Sequence, residues 1–300
     1  MRALFNLIQE EVEMDFGFWL FQTLNALQLS MLLFLLSVGL TVIFGLMHFV
    51  NLAHGALYAL GAYVAASVSV HLGYWGAFVI APIAVAAVGF VLYATLIRSM
   101  RKSGPMAQVL VTFGLIFALL DVTRILWGDL ALAMEGPQIL AGRLTFGVLD
   151  YPLYRLFTIA LGIAIFIVLA LVLNRTQIGA MIRAGVDNDE MAACLGINVE
   201  RLFFIVFCVG CALAGLAGVV AAPVLSVTPD MGLQILIPTL IVIVIGGLGS
   251  LKGAIIGSLI YGFVTTFGAV FLPSFASVLI YALLALVLVL RPTGLFPAKV

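Results

Sequence analysis

Apolar residues run almost unbroken along this chain, and short polar or glycine-rich stretches interrupt them at irregular intervals. The runs cover about 18–44, 56–71, 76–97, 106–127, 153–173 and 202–225, with two more in 232–272 and a last one ending at Leu290. Several reach the ~20 residues that a helix needs to cross a bilayer core. A membrane barrel would instead show short segments of alternating hydrophobicity. The pattern predicts an all-α, polytopic helical membrane protein with about eight or nine membrane helices. Two stretches, 44–55 and 233–253, leave open whether the chain spans fully or is broken or re-entrant there. Residues 1–17 form an acidic lead-in, and 18–297 read as a single transmembrane domain.

The longest charged, helix-competent interruption is 174–201. Lying between two spans, it must sit in water. Asp187 or Asn188 can cap a helix, with Asp189 and Glu190 in its positive first turn. Gly196 suits the left-handed residue that ends it, and Asn198 with Glu200 can start the next helix. This predicts a short helix over about 188–195, held against the membrane by the spans on either side.

Composition agrees with the pattern. Charged residues make up 9% of the chain and hydrophobic ones 65%, where a soluble domain carries about 25% charged residues. Mean hydropathy is +1.30. A net charge of zero points to no nucleic acid. Cys208 and Cys211 are spaced as CxxC, but they sit in an apolar run without two further ligands, so they read as helix-packing residues. Glu10, Glu11, Glu13 and Asp15 precede the first run without a basic flank, so no cleavable signal peptide is expected. Placing 98–102, 174–201, Lys252 and the C-terminus on one side gathers Arg98, Arg101, Lys102, Arg175, Arg183, Arg201, Lys252, Arg291 and Lys299. The opposite side receives Arg2, Arg143 and Arg155. The basic side should be cytoplasmic, and three full spans before Arg98 would put the N-terminus outside.

Small residues recur at four-residue spacing along Gly210, Ala214, Gly218 and Ala222, along Gly249, Gly253 and Gly257, and along Asn51, Gly55 and Ala59. Such stripes let helix backbones approach in lipid, as plain packing or as sliding and hinging surfaces of a transport path. His48, Asn51 and His54 place polar groups at membrane depth, where they rim a pathway or stabilise a helix break. The two histidines are not at metal-ligand spacing, and no metal site is expected. Asp121 and Arg124, at i,i+3, can pair at the outer interface.

No catalytic constellation is visible, since the chain has neither HExxH nor Gly-x-Ser-x-Gly. The stretch from Gly247 to Gly253 fails as a phosphate loop because Lys252 is not preceded by Gly or followed by Ser or Thr. Thus the chain is not expected to be an enzyme or to bind ATP itself. No carboxylate sits clearly at mid-span, which lowers the reading of a gradient-driven carrier.

At this point the residues resemble a family. Asn51-Leu-Ala-His-Gly55 followed by Gly61-Ala-Tyr63 is similar to the early motif of permease subunits of branched-chain amino-acid ABC importers. The segment from Thr176 through Arg183 to Asn198 resembles that family's cytoplasmic coupling segment. Gly246-Gly-Leu-Gly-Ser250, Gly253, Gly257 and the terminal 291–296 complete the likeness, which covers about 25–296. The length looks like the shorter permease of the pair.

The resemblance implies a second related permease, two ATP-binding subunits holding ATP and Mg, and an extracytoplasmic substrate-binding protein, with this chain in the bacterial inner membrane. No cofactor is expected in this chain. Thr176, Gly179, Arg183, Ala184, Asn188, Glu190, Ala192, Gly196 and Asn198 would couple to the ATPases. Asn51, His54, Gly55 and Thr112 are placed on the translocation path. Gly210, Gly218, Gly246, Gly247, Gly249, Gly253 and Gly257 are placed in helix packing or hinging. The expected function is ATP-driven uptake of leucine, isoleucine and valine. The alternatives are the same mechanism for urea or another small polar solute, a gradient-driven carrier or channel, and a non-transporting scaffold.

Overall fold

A helical stretch of 47 residues, His54–Met100, becomes two membrane passes through one residue, Gly73. The computed structural model describes residues 16–47, 49–100, 103–146 and 149–296. The acidic lead-in up to residue 15, His48, Arg101, Lys102 and Lys299 therefore lie outside the described residues. Helix α1 is Phe16–Met47, and α2 is His54–Leu92, prolonged by a π turn at Tyr93–Ile97 and a last turn at Arg98–Met100. Straight, that second stretch would be about 70 Å long, more than twice the hydrocarbon core. Gly73 takes φ 66° and ψ −179°, a backbone state that glycine reaches without steric cost. There the chain folds back on itself. A methyl group at Gly61 would lie 2.5 Å from the Cα of Gly215, and one at Gly215 would lie 2.9 Å from the Cβ of Val85. Both arms of α2 thus touch the same turn of a later helix, although residues 61 and 85 would be about 36 Å apart in a straight one.

The chain continues with α3 (Pro105–Trp127), a two-stranded antiparallel hairpin β1 (Arg143–Phe146) and β2 (Leu149–Pro152), and α4 (Leu153–Arg175). Then come α5 (Gln177–Asp187), α6 (Asp189–Cys194), α7 (Val199–Ala221), α8 (Met231–Gly246), α9 (Leu251–Phe271) and α10 (Ala276–Leu290). Seven helical stretches are long and apolar enough to span a bilayer. With α2 broken at Gly73 and the shorter α8 added, the described residues make nine helical passes. This is the all-α polytopic architecture the apolar runs predict. The two doubtful stretches resolve as breaks. Residues 49–53 are non-helical between α1 and α2, and 247–250 separate α8 from α9.

Helices α1 and α7 are the most enclosed, whereas α4 and α10 present most of their length outward. Lipid tails are as apolar as leucine, so helices here associate by close packing rather than by hydrophobic exclusion. The glycine stripes supply that packing. A methyl at Gly39 would lie 2.8 Å from the Gly210 carbonyl oxygen, and one at Gly210 would lie 2.6 Å from Ile43. Gly218 sits on the backbone of Tyr58 and Ala62, Gly257 on Val242, Gly55 on Gly232, and Gly246 and Gly253 face each other across the break.

The helices define two ends of the bundle. The polar segment 174–201 marks one, together with the Arg98–Glu200 ion pair at 2.5 Å and the Gly45–Gly249 contact. The β-hairpin marks the other, where Arg155 donates to the Asn25 side chain at 2.8 Å and Arg143 pairs with Asp150 at 3.2 Å. The stretch 128–152 joins α3 to α4. It holds a 3-10 turn at Gln138–Leu140, the hairpin, and a bridge from Leu132 to Val227. The last described residues are also built in. Leu295 and Phe296 donate their N–H groups to the carbonyls of Ile245 and Gly246, which the end of α8 would otherwise leave without partners.

Candidate functional site

The polar segment forms a capped helical relay between α4 and α7. Thr176 closes α4 and opens α5, its hydroxyl donating to the Val172 carbonyl and accepting from the Gly179 N–H at 3.2 Å. Gly179 is required by space, because a side chain there would run into the final carbonyls of α4. Arg183, one turn on, donates to the Leu173 carbonyl. Its charge therefore steadies the negative end of α4.

The Asn188 side chain accepts from the Met191 N–H at 2.8 Å and starts α6, with Asp189 and Glu190 in its first turn. Of the two caps that sequence allowed, Asn188 is the one used. Gly196 takes φ 85° to end the helix, and Asn198 accepts from the Arg201 N–H at 2.9 Å to begin α7. Ala192 is buried under α6 and Ala184 half-buried under α5, while Glu190, Met191 and Leu195 face outward. The result is a short, rigid ledge seated on the bundle with an apolar-and-acidic outer face.

The four residues expected on a path gather around one helix start. His54 points its Nε2 at the Leu36 carbonyl, 3.1 Å away. A carbonyl can only accept, so this nitrogen carries the hydrogen. Thr112 Oγ1 lies 2.9 Å from the Gln108 carbonyl and 3.4 Å from that of Val50, in the non-helical stretch. Gly55 packs on Gly232, so the first turns of α2 and α8 meet backbone to backbone. Asn51 is 1% exposed, and its amide has no hydrogen-bond partner among the described residues. Asn51, His54 and Thr112 all face the interior of this chain. His48, grouped with them in the sequence, lies outside the described residues.

At the hairpin end, Arg124 meets Asp121 at 3.9 Å as expected, and also Asp129 and Asp230, each at 3.2 Å. It ties the end of α3 to the start of α8. Tyr154 donates to the Val220 carbonyl at 2.8 Å, so the Tyr74 hydroxyl, 3.0 Å away, must donate to Tyr154.

Sequence reasoning missed helix α5, whose Ile178, Met181, Ile182 and Val186 do carry a helical apolar period. It also missed Gly39 and Gly215 and read Gly61 only as part of a motif, although these three bring α1 and both arms of α2 onto α7. Their spacing within single helices held no signal, because each pairs with a residue on another helix.

Residues 22–288 match the family model described as branched-chain amino acid transport system / permease component. The chain is 28% identical to the high-affinity branched-chain amino acid transport system permease protein BraD of Pseudomonas aeruginosa, over 92% of this chain and 95% of that one. It is likewise 28% identical to the LivH permease protein of the same description from Escherichia coli K12, over 94% and 96%. With the LivM permease protein of that organism the identity is again 28%, covering 92% of this chain and 70% of LivM.

Proposed function

Because this chain belongs to the family of branched-chain amino acid transport system permease components, we propose that it is the shorter membrane subunit of an ATP-driven importer of leucine, isoleucine and valine. The observation that carries the mechanism is the ledge of α5 and α6. Each helix is capped by a side chain, and the pair is anchored to α4 through Thr176, Gly179 and Arg183 and to α7 through Asn198. A rigid ledge between two spans converts a push from outside into movement of both. Its outer face offers Met191 and Leu195, 60% and 75% exposed, beside Glu190, as a surface for an ATP-binding partner.

In this reading the ledge and the described basic residues Arg98, Arg175, Arg183, Arg201, Lys252 and Arg291 are cytoplasmic, by the excess of positive charge on that side. ATP and Mg reside in partner chains. Likeness to both LivH and LivM supports pairing with a second permease, and an extracytoplasmic binding protein would present the solute at the hairpin end. The breaks at 49–53 and 247–250 interrupt helices α1–α2 and α8–α9, and close glycine contacts border both. They are the places where packed helices can shift without losing long runs of helical hydrogen bonds. His54 and Thr112 hold the first break in shape, and the path for solute opens beside them and Asn51 when the permeases move.

The deciding experiment is uptake of labelled leucine, with labelled urea alongside, by cells with and without this chain and with the partners kept. Loss of leucine uptake alone is the expected result. Loss of urea uptake alone would keep the mechanism and replace the solute, and no change in either would overturn the reading.

A further inference from the structure

Behind α5 a cavity of about 370 Å³ opens between that helix, the inner part of α1 and the turn at Gly249. It lies at the small end of the roughly 300–1,000 Å³ range of ligand pockets, a size for a compact solute rather than a nucleotide. Two opposite charges share one wall. Arg183 and Asp187 are one helical turn apart on α5 and both line the cavity. The bond to Leu173 uses one of the five N–H donors of the guanidinium. Asp187 is not the cap of α6, a role taken by Asn188, and its carboxylate forms no ion pair among the described residues.

Facing them from α1 is Thr41, 2% exposed, whose hydroxyl has no hydrogen-bond partner among the described residues. A buried hydroxyl without a partner is costly, and Thr41 is among the residues that line the chamber. Val42, Ile182 and Val186 supply the apolar part of the lining.

A guanidinium, a carboxylate and a buried hydroxyl around aliphatic walls match one chemistry. The cation receives a carboxylate, the anion an ammonium, and the walls an aliphatic side chain. We infer that this cavity binds an aliphatic α-amino acid entering from the ledge side. A ligand bridging α5 to α1 stabilises the arrangement in which it binds, so occupancy holds the ledge still and slows transport once solute has accumulated on that side. This rests on the transport reading above and adds product feedback at the ledge to it.

The test uses the complex of this chain with its permease and ATP-binding partners, in vesicles of phosphatidylglycerol and phosphatidylcholine. Labelled leucine binding is read without ATP and without the external binding protein. ATP-driven uptake is read with and without unlabelled leucine on the ledge side. Saturable binding is expected, with uptake at least halved by leucine on that side. Asp187→Asn should weaken binding about tenfold, and Thr41→Val severalfold, because each removes one partner of a ligand hydrogen bond. Uptake without leucine on the ledge side should be unchanged in both variants.

Binding that is equal in all three proteins, or uptake indifferent to leucine on that side, would overturn the inference and leave the transport reading standing. Displacement of leucine by added phosphatidylethanolamine, whose headgroup carries the same two charges, would make this a lipid site and overturn it too. Absence of any ATP-driven leucine uptake by the unaltered complex counts against the transport reading, and the binding measurement still decides this one.

Discussion

Gly61 and Gly215 meet backbone to backbone, with room for no side chain between them: a methyl at Gly61 would sit 2.7 Å from the Gly215 carbonyl oxygen and 2.5 Å from its Cα. The contact fixes how the first arm of α2 lies on α7. Gly61→Val is expected to destabilise the protein by about 1–3 kcal/mol, the usual cost of overpacking, seen as a lowered melting temperature in detergent. Gly114 has open space around its Cα, so Gly114→Ala should be neutral or stabilising by about 0.5–1 kcal/mol. Equal effects of the two substitutions would refute the close-packing account.

The ledge depends on its caps. Helix α6 has six residues, too few to persist without them. Asn188→Ala should cost about 1 kcal/mol, concentrated in that helix, and should lower ATP-driven uptake while the chain still inserts. Asn188→Asp keeps a capping oxygen and should retain uptake. The comparison is made by transport at matched membrane abundance.

Arg183 has two charges to answer for, the end of α4 behind it and any partner in front. Arg183→Glu places an anion against the Leu173 carbonyl, and like charges repel at a helix C-terminus. We expect ATP hydrolysis by the assembled complex to continue while uptake falls to background. Unchanged uptake in this variant would remove Arg183 from the coupling route.

Tyr154→Phe tests the hairpin end. Val224 N–H bonds to the Ala221 carbonyl, so the Val220 carbonyl takes its hydrogen bond from Tyr154. Removing that hydroxyl strands a buried acceptor, and the expected loss is about 1–3 kcal/mol. Tyr74→Phe removes only the outer donor and should cost less. A thermal-unfolding series of both variants orders them.

Local chemistry was legible in the sequence alone. The apolar runs announce helices because a chain in lipid must satisfy its backbone internally. The caps at Asn188 and Asn198 and the stop at Gly196 are readable because capping involves residues only about three apart. The motif residues from Asn51 to Gly55 and from Thr176 to Asn198 point to the family for the same reason, being contiguous in the chain.

Pairings between distant segments were decided by the tertiary structure. The partner of Gly61 is Gly215, that of Arg124 includes Asp230, and that of Phe296 is the end of α8. No periodicity within one helix states which other helix it will touch. The cavity of Thr41, Arg183 and Asp187 has the same origin. Its hydroxyl and its charges lie more than a hundred residues apart in the chain, and only the folding of α5 back against α1 brings them to one chamber.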